Sequence, residues 1–305
     1  MSSAQKQVWE GAIPLQIHLH ESEVTTLPPP PPALVLAPRI GYLPLLISLV
    51  KPHFSSTLPP GLDTVWFDYK GIPLKWYIPT GVLFDLLCVE PERPWNLTVH
   101  FRGYPSNLLL PCEGEDSVKW SFINSLKEAA YVINGNSKNV MNMSQPDQVE
   151  LWDSVLKGNL ETYRRVASKL KLGTSEDEYT ENVSSVLIKS PQSTGDTDVT
   201  GQVKTGKYFS LNDAVKRILP EFFLENSFVI EGDTDINQSG EEGERSSDPG
   251  SSCNAAEIAE IKFVRIQGIE PILDIPFSWV VNNLMNPEYF LHMCVCLKVK
   301  ANAVQ

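Results

Sequence analysis

A segment in the middle of the chain, Asp116–Gly135, has the clearest helical pattern of the sequence. Asp116 is a favourable N-cap, and Gly135 can adopt the left-handed conformation that ends a helix. Lys127 falls about 110° from the centre of the apolar stripe at 100° per residue, so it lies on the flank. The stripe comprises Phe122, Ile123, Leu126, Ala129, Ala130 and Ile133, and the flank neighbours of the lysine are Trp120, Asn124 and Tyr131. The pattern predicts an amphipathic helix with an accessible amine, although spacing alone favours an ordinary solvated lysine.

The first hundred residues alternate between short strand patterns and helix patterns. After a helix at Ser3–Glu10, we predict strands at Leu15–His20, Ala33–Ala37, Val65–Tyr69, Leu74–Ile78 and Trp95–Phe101, and helices at Tyr42–His53 and Thr80–Leu87. The prolines of Pro28–Pro32 form a stiff loop, because they lack amide donors and have a fixed φ. This order of elements is that of a ubiquitin-like β-grasp.

A repeat within the chain predicts a second domain of the same kind. Lys70–Leu87 (KGIPLKWYIPTGVLFDLL) and Gln267–Leu284 (QGIEPILDIPFSWVVNNL) each begin with Gly-Ile and reach Ile-Pro seven residues later. Each Ile-Pro opens an apolar helix, and a strand follows, at Tyr289–Leu297 in the second copy. The second copy also has a preceding helix, Leu211–Leu219, but only linker-like sequence stands where an opening hairpin should be. We therefore expect a second domain that is incomplete and weakly stable on its own.

These patterns give an α+β fold class: two ubiquitin-like β-grasp domains flank a helix-rich domain, and the second β-grasp is incomplete. Two further short helices are predicted in the middle domain, at Gln148–Leu156 and Asn159–Leu170. The predicted division is an N-terminal helix (1–12), a first ubiquitin-like domain (13–111), a helix-rich domain (112–172), a disordered linker (173–206) and a truncated second ubiquitin-like domain (207–300) with an acidic disordered insert (231–257).

The charge of the chain is concentrated in those linkers. The formal net charge is −12, with −4 in Gly173–Lys204 and −8 in Glu231–Glu260, so the remainder is near neutral. No basic patch indicates nucleic-acid binding. The scattered, odd number of cysteines and the lack of a signal-peptide pattern are typical of a cytoplasmic protein. Cys294 and Cys296 alternate on a predicted strand, where we expect buried small side chains.

No nucleotide-binding, hydrolase, metalloprotease or kinase motif occurs in the sequence, and we expect no cofactor and no metal site. Cys88 and His100 could form a thiol dyad, but Cys88 ends an apolar helix and His100 lies on a strand without an evident acid to orient it. Structural roles are favoured for both residues. The sequence therefore indicates a non-catalytic binding or conjugation module.

Several longer strings closely resemble the autophagy protein five family, in a plant-like form. They are VWEGAIPLQI, PRIGYLPLL, WFDYKGIPLKWYIPTGVLFDLL, PWNLTVHF, SLKEA and RIQGIEPILDIPFSWVVNNLMNPEYFLH. The resemblance covers Val8–Leu172 almost continuously and Tyr208–Leu297 in part. It implies two ubiquitin-like domains around a helix-rich domain, as the repeat does.

The resemblance also implies a function. In that family the lysine of the KEA stretch, here Lys127, accepts the carboxy-terminal glycine of the ubiquitin-like autophagy protein twelve through activating and conjugating enzymes. With autophagy protein sixteen, the product acts like a ligase that promotes lipidation of autophagy protein eight with phosphatidylethanolamine during autophagosome formation. Peripheral association of the complex with preautophagosomal membranes is implied as well. Because they share the flank of the helix with Lys127, Trp120, Asn124 and Tyr131 are candidate partner-binding residues; packing is the alternative role for the two rings.

The sequence departs from the family between the linker and the helix at Leu211, where Thr205-Gly206-Lys207 stands in place of the first hairpin. Binding of autophagy protein sixteen, which involves both ubiquitin-like domains in the family, is therefore open. Three hypotheses remain: an acceptor and scaffold subunit, a non-conjugated or dominant-negative adaptor, and a thiol enzyme that uses Cys88.

Overall fold

A computed structural model describes residues 3–58, 64–172, 208–223 and 260–298. Its helices are α1 Ser3–Glu10, α2 Ile47–Phe54, α3 Thr80–Leu87, α4 Glu115–Asn134, α5 Lys138–Met141, α6 Gln145–Leu156, α7 Leu160–Ala167, α8 Leu211–Ile218 and α9 Phe277–Leu284. Its strands are β1 Ala12–Leu19, β2 Ala33–Pro38, β3 Trp66–Tyr69, β4 Ile72–Pro73, β5 Trp95–His100, β6 Glu260–Arg265 and β7 Cys294–Lys298. The predicted disordered linker and acidic insert lie outside the described residues.

The first ubiquitin-like domain is a five-stranded sheet in the order β2-β1-β5-β3-β4. β1 pairs antiparallel with β2 and parallel with β5, so β5 occupies the centre of the sheet. Every second residue of β1 is buried, as the alternating pattern of LQIHLH predicts. The α+β class with its ubiquitin-like first domain is confirmed.

Three predicted elements of this domain differ from the structure. The strand at Leu74–Ile78 is wrong: pairing stops after Ile72–Pro73, because the chain then turns toward α3. The segment predicted as one helix at Tyr42–His53 is a 3-10 turn, Leu43–Leu46, followed by α2. In the second domain, the strand predicted to begin at Tyr289 begins only at Cys294.

The internal repeat is visible in the backbone. Lys70-Gly71 and Gln267-Gly268 are both pairs of left-handed residues, with φ of 52° and 82° in the first pair and 53° and 75° in the second. In each copy the residues on either side of the pair bond to each other, as in a two-residue hairpin turn. Each copy then enters its helix directly after a proline, Pro79 or Pro276.

In the described residues, the second ubiquitin-like domain contributes two strands, β6 and β7, which pair antiparallel, and the helices α8 and α9. The residues between the two helices, 224–259, are not described, and β6 was not predicted from the sequence. The Ser210 side chain and Asp213 form a capping box at the start of α8. Cys294 and Cys296 on β7 are half-buried rather than buried as predicted from the sequence. The described part of this domain holds two strands and two helices, and its incompleteness stays a prediction, because residues 173–207 and 224–259 are not described.

The buried apolar residues described for this domain do not form a core of their own. They belong to one cluster that also contains the helix-rich domain and α1, while the first ubiquitin-like domain has a separate core. Members from the second domain include Leu211, Ala214, Val215, Ile261, Val264, Ile266, Phe277, Val280, Val281 and Leu284. The helix-rich domain therefore covers apolar surface that a two-stranded sheet alone would leave in water.

A buried ion pair of the first ubiquitin-like domain also binds the second domain. Arg39, which follows β2, donates from Nη2 to Asp85 Oδ2 on α3 and to Gly81 O at 3.2 Å. The same Asp85 oxygen accepts the Gly268 amide of the second domain at 2.8 Å. A Cβ at Gly268 would lie 2.7 Å from Arg39 Cζ, so only glycine fits there.

Arg265 on β6 makes a second connection. It donates to Cys88 O at 3.1 Å and to Val89 O at 2.9 Å, and these carbonyls lie just beyond the end of α3. Its guanidinium is also held by Glu270 Oε1, at 2.7 Å from Nη2. An arginine from the second domain thus satisfies carbonyl groups of the first.

We predict that Arg39→Ala lowers the free energy of unfolding by about 3–5 kcal/mol, because it leaves the Asp85 carboxylate buried without its cation. Urea unfolding followed by circular dichroism measures the change. Lys6→Ala is the matched control, since its ion pair with Glu10 is exposed and should contribute about 0.5 kcal/mol or less. A loss for Arg39→Ala no larger than that of the control would contradict the role assigned to this pair.

We also predict that the isolated fragment Gly206–Gln305 unfolds without a sharp cooperative transition, because its apolar residues are covered by the helix-rich domain in the whole chain. Differential scanning calorimetry compares the fragment with the whole chain. A sharp transition of the fragment alone would show that the second domain has a sufficient core of its own.

Candidate functional site

Helix α4 presents the candidate site. Five of the six predicted stripe residues are buried, and Ile133 is half-buried. On its inner side Phe122 packs against Trp152 of α6, with ring centroids 5.6 Å apart, as expected for two helices of one bundle. This packing holds α4 rigidly, so the side chains on its outer face have fixed positions.

The ends of α4 are only partly as predicted. Gly135 follows the last residue with φ of 70°, and its amide bonds to Tyr131 O, which confirms the predicted C-terminus. Asp116 is not the N-cap: Gly114 is, and Asp116 lies in the first turn. Gly114 has φ of 97°, which a glycine adopts more easily than aspartate. Asp116 still places negative charge near the positive end of the helix dipole.

The outer face of α4 brings together all four predicted site residues. Lys127 is half-exposed, and its Nζ donates to Asn124 Oδ1 at 3.3 Å. Trp120 and Tyr131 are large aromatic residues that remain 56% and 65% exposed. Because positions 120, 124, 127 and 131 follow helical spacing, the amine lies between two exposed rings on one face. We call these four residues the Lys127 face.

The Lys127 face offers a half-exposed amine as a nucleophile. The four residues that form it include no general base that could deprotonate this amine. A lysine amine attacks a carbonyl carbon only after it has lost its proton. The hydrogen-bond partner of Nζ is an amide oxygen, which is not a general base at neutral pH. The arrangement suits an acceptor whose proton is removed by another protein.

Within 3–58, 64–172, 208–223 and 260–298, no group of three or more His, Cys, Asp or Glu side chains could hold a metal ion. No helix in these ranges is long and apolar enough to cross a bilayer.

The thiol dyad is not assembled. Cys88 is buried, and the contacts of its sulfur are the Tyr69 hydroxyl at 4.0 Å, the Glu90 carbonyl at 3.3 Å and the Glu92 amide at 3.4 Å. None of these partners is a histidine. The thiol fixes the chain beyond α3, which is a structural role.

His100 belongs to a separate buried cluster that the sequence did not reveal. Its Nε2 lies 2.6 Å from Asp68 Oδ2, and its Nδ1 lies 3.9 Å from Glu23 Oε1. The ring stacks between Trp66, at 3.7 Å, and His20, at 4.4 Å. The expectation that no acid orients His100 was wrong, because Asp68 pairs with it across the β3–β5 ladder rather than along the chain.

Two ubiquitin-like modules joined through a helical bundle, with a half-exposed lysine on the bundle, define a protein of the ubiquitin-like fold class. Family models match consecutive parts of the chain: "Autophagy protein ATG5, UblA domain" at residues 8–101, the alpha-helical bundle region at 115–173 and the UblB domain at 179–295. The chain belongs to the autophagy protein 5 family, and its sequence is plant-like.

Relatives support the same assignment. Autophagy protein 5 of Arabidopsis thaliana is 56% identical over a match that covers 97% of this chain and 98% of the relative. That of Oryza sativa subsp. indica is 49% identical, with 96% and 93% covered. The crystal structure of Kluyveromyces marxianus Atg5 shares the fold, with a TM-score of 0.67, 21% identity and coverage of 97% and 100%. The role of the chain is therefore in autophagy.

The alignment with the Arabidopsis relative spans 340 positions, which exceeds the 305 residues of this chain. The relative therefore has residues at internal positions where this chain has none.

The His100 cluster predicts a dependence of stability on pH. Burial lowers the pKa of His100, and His20 contributes in the same direction, against the opposing effect of Asp68 and Glu23. The unfolded chain, with an ordinary histidine pKa of about 6.5, then binds more protons than the native state below that pH. The contribution of His100 to the free energy of unfolding is fully present above about pH 6.5. It is lost as the pH falls toward the pKa of His100 in the folded protein, and the free energy of unfolding then changes by at most about 1.4 kcal/mol per pH unit.

Urea unfolding between pH 7 and pH 5 tests this dependence. His100→Gln removes the titration and can still donate to Asp68, so its stability should fall less steeply than that of the unaltered chain. His53→Gln, at an exposed histidine, is the matched control. Equal slopes for all three proteins would contradict the assignment to His100.

Proposed function

We propose that this chain is an acceptor and scaffold subunit of the autophagy conjugation machinery, and that it is not itself an enzyme. Lys127 accepts the carboxy-terminal glycine of the ubiquitin-like autophagy protein twelve as an isopeptide. The conjugate, with autophagy protein sixteen, acts like a ligase that promotes lipidation of autophagy protein eight with phosphatidylethanolamine. The protein works in the cytoplasm and reaches preautophagosomal membranes through this complex, as a peripheral member.

The observation that supports this proposal most is the position of Lys127. Its amine is half-exposed and bonded only weakly, through one 3.3 Å contact to Asn124. The neighbouring lysine of the same helix, Lys119, is also half-exposed but lies outside the group formed by Trp120, Asn124 and Tyr131. Lys127, the first residue of the KEA stretch in which the family has its acceptor, lies on this face.

The proposed step forms a bond between Lys127 Nζ and the terminal carbonyl carbon of the ubiquitin-like partner. The bond that breaks is the thioester between that carbon and the cysteine of the conjugating enzyme, and the thiolate leaves. Since Asn124 cannot take the proton of the ammonium, a base of the conjugating enzyme accepts it. This chain supplies the amine and its orientation.

We propose that Trp120 and Tyr131 contact the partner during this step. Exposed aromatic side chains on a rigid helix are typical anchors of protein interfaces, because they bury large areas with little loss of side-chain entropy. Asn124 orients the amine through its hydrogen bond.

An alternative function is favoured by a different observation. The second ubiquitin-like domain has two described strands, and the family relatives contain internal residues that this chain lacks. If the missing residues are needed for binding autophagy protein sixteen, the chain is an adaptor or a dominant-negative form that binds partners without supporting lipidation.

Reconstituted conjugation tests the proposal. The chain is mixed with autophagy protein twelve, the activating and conjugating enzymes and ATP. We predict a heavier band that Lys127→Arg abolishes. Arginine keeps the positive charge, but its guanidinium stays protonated at neutral pH and is not a nucleophile. Lys119→Arg is the matched control on the same helix and should conjugate like the unaltered chain. Trp120→Ala should slow conjugation several-fold without abolishing it.

No heavier band under conditions in which a full-length relative is conjugated would contradict the acceptor role and favour the adaptor. A band that persists in Lys127→Arg would place the acceptor elsewhere. Binding of autophagy protein sixteen, measured by calorimetry on the same preparation, separates a competent scaffold from a dominant-negative form.

A further inference from the structure

The connection between β1 and β2 contains five consecutive prolines, Pro28–Pro32, all of which the structure describes. A proline ring fixes φ, and a proline that is followed by another proline is confined to extended ψ values. The peptide bonds within the run are trans. The run therefore forms a short polyproline II helix, which has no amide donors and no internal hydrogen bonds.

One side of this polyproline helix faces solvent. Polyproline II has three residues per turn, so Pro28 and Pro31 lie on the same edge. The exposed rings are those of Pro28, Pro29 and Pro31. The rings of Pro30 and Pro32 are half-buried. The exposed edge thus carries two prolines at the spacing that aromatic-lined grooves recognise in Pro-x-x-Pro peptides.

The fold holds the run at both ends and in the middle. Before the run, the buried Glu23 carboxylate accepts the Phe101 amide at 2.9 Å. After the run, β2 begins at Ala33 and pairs with β1. Within the run, His53 Nε2 donates to Pro31 O at 2.9 Å. A segment that is stiff and held in this way loses little conformational entropy when a partner binds.

The chain around the prolines has almost no charge. Residues 22–38 contain one charged side chain, that of Glu23, and it is buried. A groove that depends on a salt bridge to its peptide therefore finds no charge to pair with in this segment. Recognition rests instead on proline rings packed against aromatic rings and on donors to the proline carbonyl groups.

We propose that Pro28–Pro32 binds a small domain whose groove is lined by uncharged aromatic side chains, of the WW type. Two aromatic rings of the groove pack against Pro28 and Pro31, and a tryptophan N–H or tyrosine O–H of the groove donates to a carbonyl oxygen of the run. The contact is smaller than a standard stable interface, so binding is reversible. The site lies in the first domain and not on α4, so the proposal does not depend on the role of Lys127.

Nuclear magnetic resonance of a labelled partner domain tests the proposal. The probe is an isotope-labelled WW domain selected on uncharged polyproline peptides, and it is titrated with the whole unlabelled chain. The backbone signals of the probe should broaden as it joins a chain of 34.0 kDa. They should sharpen again when an excess of the peptide TTLPPPPPAL (Thr25–Leu34) displaces the chain.

Two double variants separate the exposed edge from the stiffness of the run. Pro28→Ala/Pro31→Ala removes both rings of the exposed edge and should weaken binding by at least about tenfold. Pro30→Ala/Pro32→Ala is the matched control: it removes two half-buried rings with the same gain of flexibility, and binding should weaken by about threefold or less. Each variant must show the circular dichroism spectrum and melting temperature of the unaltered chain.

A second probe tests the argument from charge. An SH3 domain that requires a basic residue in its peptide should bind the whole chain at least about tenfold more weakly than the WW domain does, because residues 22–38 contain no basic side chain.

Three outcomes would overturn the proposal. One is that the WW domain does not bind the whole chain, whether or not it binds the free peptide. Another is an equal loss of binding in the two double variants, which would show that the exposed edge is not what the groove contacts. The third is that the SH3 domain binds as tightly as the WW domain or more tightly.

Discussion

The contact on which the rest of the structure depends is the buried pair of Arg39 and Asp85, with the Gly268 amide on the same carboxylate oxygen. One carboxylate thereby fixes the β2–α2 connection, helix α3 and the turn of the second repeat in one place. The pair is shielded from water, so its attraction is little screened, but removal of either partner would leave a buried charge. Gly268 is required for the same reason, because a side chain there would occupy the space of the guanidinium.

This junction explains how the second ubiquitin-like domain is held in place. The two strands and two helices described for it share their core with the helix-rich domain, and the turn at Gly268 and Arg265 anchor them on the first domain at α3. The Lys127 face lies on the flank of α4, whose inner residues belong to the shared core. The candidate acceptor is therefore supported by packing that the second domain helps to complete.

The sequence predicted the elements that depend on local periodicity and on the repeat. The extent of α4, its apolar stripe and the grouping of Lys127 with Trp120, Asn124 and Tyr131 follow from helical spacing alone. Features set by distant residues were missed. Gly114, and not Asp116, is the N-cap of α4. In Leu74–Ile78 the Leu74 amide still bonds to Phe67 O of β3, and the chain then leaves the sheet toward α3. The contacts of Arg39, Asp85 and His100 could not be predicted, because their partners lie far away along the chain.

The central claim is that the second domain and the helix-rich domain unfold as one unit. Native-state hydrogen exchange in increasing urea measures this directly, through the amides of Val280 on α9 and Leu126 on α4. If the two domains unfold as one unit, both amides exchange through one opening, with the same free energy and the same dependence on denaturant. Exchange of Val280 at a clearly lower free energy, with Leu126 still protected, would show that the second domain opens independently and would contradict the account.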